Sequence, residues 1–203
     1  MARLIVDFIT SLDGYASAEG WPGWWGLESP GYLAWLEERP DRDYTVLMGA
    51  NTYRLMSGFA SSPDTSAEEA DAVADLTRQR KIVFSSTLET PLAWANTEVI
   101  RGDAVEAVAA MKRDRTDMST LGSLTLCRSL LEAGLVDLFR VGVFPVITGK
   151  TGRERIYDGY PDVMLDMVTS RTFDNRIQLL EYVPRVLEGP PGESSGALTA
   201  PQT

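Results

Sequence analysis

The chain has 203 residues, 44% of them hydrophobic and 24% charged, and a formal net charge of −10. This is the profile of a single globular domain, and its acidity excludes nucleic acid as a partner, because phosphate backbones require a basic footprint. Histidine is absent and cysteine occurs once, which removes Ser-His and Cys-His nucleophile systems, most zinc sites and any internal disulfide; no apolar run approaches the roughly 20 residues that span a bilayer.

The amino-terminal residues Met1-Ala-Arg-Leu-Ile-Val-Asp7 lack a small-residue cleavage site and run into Asp13, so they read as a strand and not as a signal sequence. The expected compartment is the cytoplasm. Residues 3–10 form a near-continuous apolar run, as a strand buried on both faces requires. Ser29-Pro30 reads as an N-cap followed by proline at the first helical position, opening a helix to about residue 39. A strand is predicted over 44–48 and a short helix over 49–56. Ser66 and Glu69 have the spacing of a capping box for a helix over 70–80. The acidic stretch 64–71 reads as its solvated start, and 81–84 as the next buried strand.

A short strand is expected over 98–101. Asp103 and Glu106 then cap a helix whose apolar positions Ala104, Val105, Val108 and Ala109 follow a period near 3.6. After a strand over 118–121 and a Gly122-Ser123 turn, residues 124–133 form an amphipathic helix through Leu124, Cys127, Leu130 and Leu131, with Cys127 a buried structural thiol. Residues 136–147 read as a long strand that Pro145 bends or ends. Strands over 163–173 and 176–183 flank Asp174-Asn175, a tight-hairpin signal. One domain therefore occupies 1–185, and residues 186–203, rich in Gly, Pro, Ser and Thr, read as a disordered tail. The alternation specifies an α/β fold with a mainly parallel central sheet, helices on both faces and a C-terminal antiparallel hairpin.

Three junctions share a chemical character: Gly49-Ala-Asn51-Thr52, Ser85-Ser86-Thr87 and Gly122-Ser123-Leu124-Thr125. Ligands of open parallel sheets settle at the carboxyl ends of the strands, where helix N-termini offer unpaired N–H groups to anions. Taken singly, each junction is equally an ordinary cap; together they point to a phosphate-binding cleft. No G-x-G-x-x-G follows a strand, and Gly149-Lys150-Thr151 is not a P-loop, because Phe144 stands where the first glycine belongs. Trp21, Trp24 and Trp25 either stack on a planar heterocycle or pack down their own loop. Lys150, Arg153 and Arg155 form a compact basic group that either holds a substrate phosphate or is merely solvated. Asp13 either donates or relays a proton or shapes an Asp-Gly turn.

Ser11-Leu-Asp13-Gly14, Met48-Gly49 with Thr52-Tyr53, Val83-Phe-Ser85, the run from Leu121 to Asp137, and Phe144-Pro-Val-Ile-Thr-Gly149 with Arg155-Ile-Tyr157 resemble the dihydrofolate-reductase-like superfamily. Within it, they are most similar to the reductase domain of the bifunctional riboflavin-biosynthesis deaminase-reductase and its stand-alone bacterial relatives. The resemblance covers residues 3–183 and implies an NADPH site. Gly49, Asn51 and Thr52 would take the adenosine side and pyrophosphate, and Ser85 and Ser86 would lie near the adenosine ribose. Gly122, Ser123, Leu124 and Thr125 would present backbone N–H groups to the pyrophosphate. Asp13 and Gly14 would begin the loop that closes over the nicotinamide. A homodimer is implied as well.

Two departures shape the expected function. Ala50 replaces the arginine with which folate reductases help to hold cofactor phosphate, so NADH stands beside NADPH as a candidate. Tyr32 occupies the position of their pterin-binding carboxylate, and a phenol with an ordinary pKa of about 10 cannot form that ionic pair. The expectation is hydride transfer from NAD(P)H to a C=N or C=O group of a small pyrimidine- or pteridine-like substrate other than dihydrofolate. Asp13 would be catalytic, and Tyr32, Trp24, Lys150 and Arg153 would meet substrate. Two other classes stay open: a nucleotide- or small-molecule-binding protein without turnover, and a structural homodimer with a vestigial cleft.

Overall fold

The computed structural model describes residues 2–21, 23–61 and 67–191, and of residues 67–72 the backbone alone. The amino-terminal apolar run becomes β1 (Leu4–Ser11), buried throughout except at Asp7 and Ile9. Then come β2 (Tyr15–Ala18), α1 (Pro30–Glu38), β3 (Thr45–Gly49), α2 (Ala50–Ala60), α3 (Ala67–Arg78), β4 (Lys81–Phe84) and β5 (Thr97–Ile100). The second half contains α4 (Ala104–Arg113), β6 (Met118–Thr120), α5 (Leu124–Glu132), β7 (Leu138–Phe144), β8 (Gly152–Arg155), β9 (Val163–Phe173) and β10 (Ile177–Val186). Eight strands form one sheet in the order β5-β4-β3-β6-β1-β7-β10-β9. The first six run parallel, and the β9–β10 hairpin adds antiparallel to β7.

Packing follows the alternation along the strands. Leu4, Val6 and Phe8 of β1, with Phe139 and Val141 of β7, meet Val108 of α4 and Leu126, Cys127, Leu130 and Leu131 of α5. On the other side, Tyr32 of α1 packs with Phe144, Phe173, Ile177 and Leu179, flanked by Trp24, Trp25 and Trp35. A third cluster joins Val46 and Met48 of β3 to Val83, Tyr53 of α2 and Trp94. Cys127 is fully buried, as expected, and burial pushes its thiol up to about 12.

Local chemistry sets the ends of the elements. Proline has no N–H for a ladder, and β7 stops at Phe144, where Val146 N turns back to Phe144 O at 2.8 Å. Asp103 caps α4 by accepting from Glu106 N at 3.0 Å. Ser29 stands at the N-cap of α1, yet its side chain makes no capping bond. Asp174 serves that end of the helix from the hairpin tip, accepting the Gly31 N–H at 2.8 Å. Asp174 and Asn175 have φ of 51° and 55°, the left-handed pair that a tight hairpin turn requires. At the far end of α3, the buried Lys81 ammonium donates to the carbonyls of Leu76, Thr77 and Gln79, satisfying groups a helix C-terminus leaves open.

Several elements differ from the sequence expectation. A second sheet of β2 and β8, pairing Tyr15 with Arg155 and Ser17 with Arg153, was not signalled. Each strand has four residues, too few for alternation to register. Helix α2 continues past residue 56 to Ala60, and α3 begins at Ala67, earlier than the predicted 70. The Ser66–Glu69 capping box and the acidic side chains of 64–71 fall outside the described residues. Strand β10 reaches Val186, paired with Val163, one residue past the expected domain end; residues 192–203 of the tail lie outside the described residues.

Candidate active site

Strand pairing opens a fork in the sheet. β1 stays with β7 from Ile5 to Ser11, but pairs with β6 only at Leu4–Met118 and Ile5–Ser119. Beyond that point, Asp7 N donates to the Thr120 hydroxyl at 3.1 Å instead of to a strand carbonyl. β6 instead follows β3, where Leu121 N donates to Leu47 O at 2.9 Å. The carboxyl ends of β3 and β6 thus separate from those of β1 and β7.

On the β3–β6 side, two of the three predicted junctions meet. Gly49 N donates to Ser123 Oγ at 2.7 Å, and Thr52 Oγ1 and Ser123 Oγ share a hydrogen bond of 2.8 Å. Gly122 and Ser123 turn through left-handed conformations, with φ of +54° and +68°. The Ser123 hydroxyl is engaged with Gly49 and Thr52, and among the described residues no side chain caps either α2 at Gly49 or α5 at Ser123. Two helix N-termini therefore open side by side, Leu124 and Thr125 forming the first positions of α5. Uncapped N–H groups together with the helix dipoles suit an anion. A Cβ on Gly49 would lie 3.6 Å from Ser123 Oγ and one on Gly122 3.7 Å from Thr52 Oγ1, so backbone is approachable at both. Asn51, exposed on the first turn of α2, accepts from Arg54 Nη1 at 3.1 Å.

The third junction adjoins them. Gly49 pairs with Phe84, so Ser85 and Ser86 follow at the neighbouring strand end. Ser85 Oγ accepts from Thr87 N at 3.2 Å and Leu88 N at 3.1 Å, a local turn. The guanidinium of Arg101, at the end of β5, reaches over this turn to Ser86 O at 2.9 Å and Leu88 O at 2.6 Å. Both of these partners are neutral, and among the described residues Arg101 forms no ion pair. Sequence reading passed over Arg101, although a basic residue directly after a strand and before a Gly-Asp helix start was the available signal.

On the β1–β7 side the carboxylate of Asp13 is fully engaged in hydrogen bonds. It accepts from Ser11 Oγ at 2.7 Å, Thr148 N at 3.1 Å and Gly149 N at 2.8 Å. Slight desolvation acts upward, but these hydrogen bonds outweigh it and hold the pKa at about 2. A carboxylate so held is a poor proton donor; Asp13 clamps the turn after β1 to the turn after β7. Because the folded pKa is depressed from 3.8, the clamp stabilises the fold above that pH and loses its effect as pH falls towards about 2. Asp13→Ala is expected to lower Tm by about 3–6 °C near neutrality. In acid melts its curve should converge with wild type as the pH approaches that low value.

The expected substrate residues divide. Tyr32, 3% exposed, packs edge-on against Phe144 and Phe173, with ring centres at 5.5 and 5.7 Å. Tyr32 is thus buried in the aromatic cluster behind the strand ends, with little surface of its own to offer. Trp24 is partly buried against the same cluster, in a loop where Gly23, Trp24, Trp25 and Gly26 all have positive φ. Lys150 is exposed on the turn beside Gly149, and Arg153 on β8 lies 3.6 Å from Glu19 at the surface. Arg155 stacks over Tyr15 at 5.3 Å. The basic group thus borders the Asp13 clamp and stands apart from the Ser123 junction.

The profile of the RibD C-terminal domain family matches residues 2–179. The chain belongs to this family. Over 188 residues it is 26% identical to the uncharacterized protein YyaP of Bacillus subtilis (strain 168), covering 89% of this chain and 94% of the relative. A pyrimidine reductase-like protein of Corynebacterium diphtheriae superposes with a TM-score of 0.64 at 17% identity, over 91% of this chain and 92% of that one. The dihydrofolate reductase of Enterococcus faecalis, in complex with NADP(H), superposes with a TM-score of 0.57 at 15% identity, over 90% and 96% of the two chains. The dihydrofolate-reductase-like fold expected from sequence is the fold observed, and this member of the RibD C-terminal domain family carries its three polar junctions at the carboxyl ends of the adjacent strands β4, β3 and β6.

Proposed function

We propose that the protein is a nicotinamide-dependent reductase of a small pyrimidine- or pteridine-like substrate, with NADPH as its cofactor, NADH as the alternative, and dihydrofolate outside its range. The observation that carries this reading is the meeting of Gly49, Thr52, Gly122 and Ser123 at two uncapped helix starts beside the fork. These residues fit a dinucleotide pyrophosphate: donors and open backbone replace the basic side chains that an acidic protein lacks. Bound there, the cofactor supplies the hydride; the chain's own residues bind, orient and exclude water. Leu124 and Thr125 offer N–H groups to the pyrophosphate, Asn51 lies on the adenosine side, and Ser85, Ser86 and Arg101 border the ribose. The tryptophan loop covers the reacting face, with Trp24 against the heterocycle, while Lys150 and Arg153 stand near enough to the Asp13 clamp to meet a substrate phosphate.

The test is oxidation of NADPH across a panel of pterins, aminopyrimidines and flavins. Turnover of one of them supports the reading; cofactor binding with no turnover favours a binding module. Arg101→Ala should weaken NADPH about tenfold and NADH much less, since only NADPH carries the extra phosphate that a free guanidinium would engage. Equal losses for both cofactors would remove Arg101 from that role.

No helix among the described residues is long and apolar enough to cross a membrane; the cytoplasm is the proposed compartment. A second copy of the chain is the proposed partner. β9 is the edge strand, and the hairpin exposes Leu165, Met167, Val168 and Val183, a surface prone to pairing. Met167→Lys should shift the species seen by light scattering from dimer to monomer; a wild-type monomer at all concentrations would refute the dimer.

A further inference from the structure

Asp7 is a charge inside an otherwise apolar strand. Across the sheet it pairs in register with Arg140 of β7, and a single oxygen, Oδ2, receives both Arg39 Nη1 at 2.9 Å and Arg140 Nη1 at 3.2 Å. Arg140 is further held by Asp41 at 2.9 and 3.0 Å and by Glu181 at 2.8 Å, and Arg39 lies 3.4 Å from Asp41. Both guanidinium groups rest against Trp35. Three carboxyl groups thus face two guanidinium groups, a formal excess of one acid, and burial raises the Asp7 pKa despite both arginines.

The acids are not equally buried. Asp41 and Arg140 have side chains 3% and 5% exposed, whereas Asp7 retains 20%. Its second oxygen, Oδ1, has no hydrogen-bond partner among the described residues. The backbone of Asp7 marks the fork itself, where its N–H turns to the Thr120 hydroxyl. A structural ion pair needs only Oδ2. A carboxylate oxygen left open at the fork, on a group held by two arginines and still 20% exposed, is an available acceptor, and one in a partly desolvated setting binds charged or strongly polar donors well.

We propose that Asp7 Oδ1 anchors an N–H edge of the heterocycle, selecting substrates with a ring N–H or amino group over those that present only acceptors. The proposal rests on the reductase reading, since both use the cleft at the fork. Arg39, Arg140, Asp41 and the Tyr32 phenol surround the carboxylate, so its specificity reflects the whole cluster. Tyr32 hydroxyl stands close to the position a Cβ on Gly142 would take, 3.7 Å away, and walls the site from the β7 side.

Calorimetric titration with 2,4-diaminopyrimidine and 2,4-dimethoxypyrimidine tests this, because the two share a ring and differ in N–H donors. The expected result is a preference of about tenfold or more for the diamino compound, falling to about threefold or less in Asp7→Asn, with NADPH affinity held within about twofold. A wild-type preference below about threefold overturns the proposal, as does a preference unchanged in Asp7→Asn or failure of both probes to bind. The wild-type comparison decides the matter even if Asp7→Asn folds poorly. Titrations are run with and without NADPH: loss of cofactor binding would count against the reductase reading and leave the probe preference measurable.

Discussion

Arg140→Ala is expected to lower Tm by on the order of 10 °C, among the largest losses any single substitution causes in this chain. Arg140 bonds Asp7, Asp41 and Glu181 at once, and Asp41 is as buried as Arg140 itself. Taking out the guanidinium leaves carboxylates facing one another with Arg39 as the remaining cation, and an uncompensated buried charge costs roughly 3–5 kcal/mol. The cost follows from removing one partner, not from an intrinsic strength of the ion pairs. Arg140→Lys should recover only part of the loss, since an ammonium cannot reproduce the bidentate bond to Asp41 or reach Glu181 simultaneously. Thermal melts near neutral pH check both variants. A shift below about 3 °C for Arg140→Ala would mean that the cluster is loosely held and solvated.

The second large effect is on cofactor binding. Gly122→Val should weaken NADPH about a hundredfold or more while the chain still folds. Gly122 has φ +54°, and a Cβ there would lie 3.7 Å from Thr52 Oγ1. The Cβ itself is accommodated; the branches beyond it would press on Thr52 or project over the uncapped start of α5. A β-branched residue in the left-handed region also strains the backbone by about 1–2 kcal/mol, so Tm should drop by a few degrees without unfolding. Unchanged NADPH affinity in Gly122→Val would place the pyrophosphate elsewhere.

How much could be read from the sequence depended on how local the cause was. The parallel strands, the Asp103 cap and the Asp174-Asn175 hairpin follow from periodicity and turn chemistry within a few residues, and they appear where those signals stand. The Gly49 and Gly122 junctions were legible for the same reason, although nothing in the sequence shows Ser123 tying them together across 74 residues. The two readings of Asp13 stay open in the sequence because an Asp-Gly pair looks alike whether its carboxylate is free or clamped; Thr148 and Gly149, which clamp it, lie more than a hundred residues away. Ser29 had the residue type of a cap, but the bond at Gly31 N comes from Asp174 in a distant hairpin. Tyr32 shows its residue type in the sequence, while its burial against Phe144 and Phe173 is a tertiary fact. Asp7 and Arg140 did leave a trace, a single charge inside each of two apolar strands. Such a charge in a buried strand requires partners, and only the fold names them.

Titration with NADPH, followed by tryptophan fluorescence, tests the central claim most directly, because Trp24 and Trp25 lie in the loop beside the fork. The expected result is a saturable change with wild-type protein that Gly122→Val abolishes. No saturable change with either NADPH or NADH, up to millimolar concentration, would contradict the assignment of the cleft to a nicotinamide cofactor.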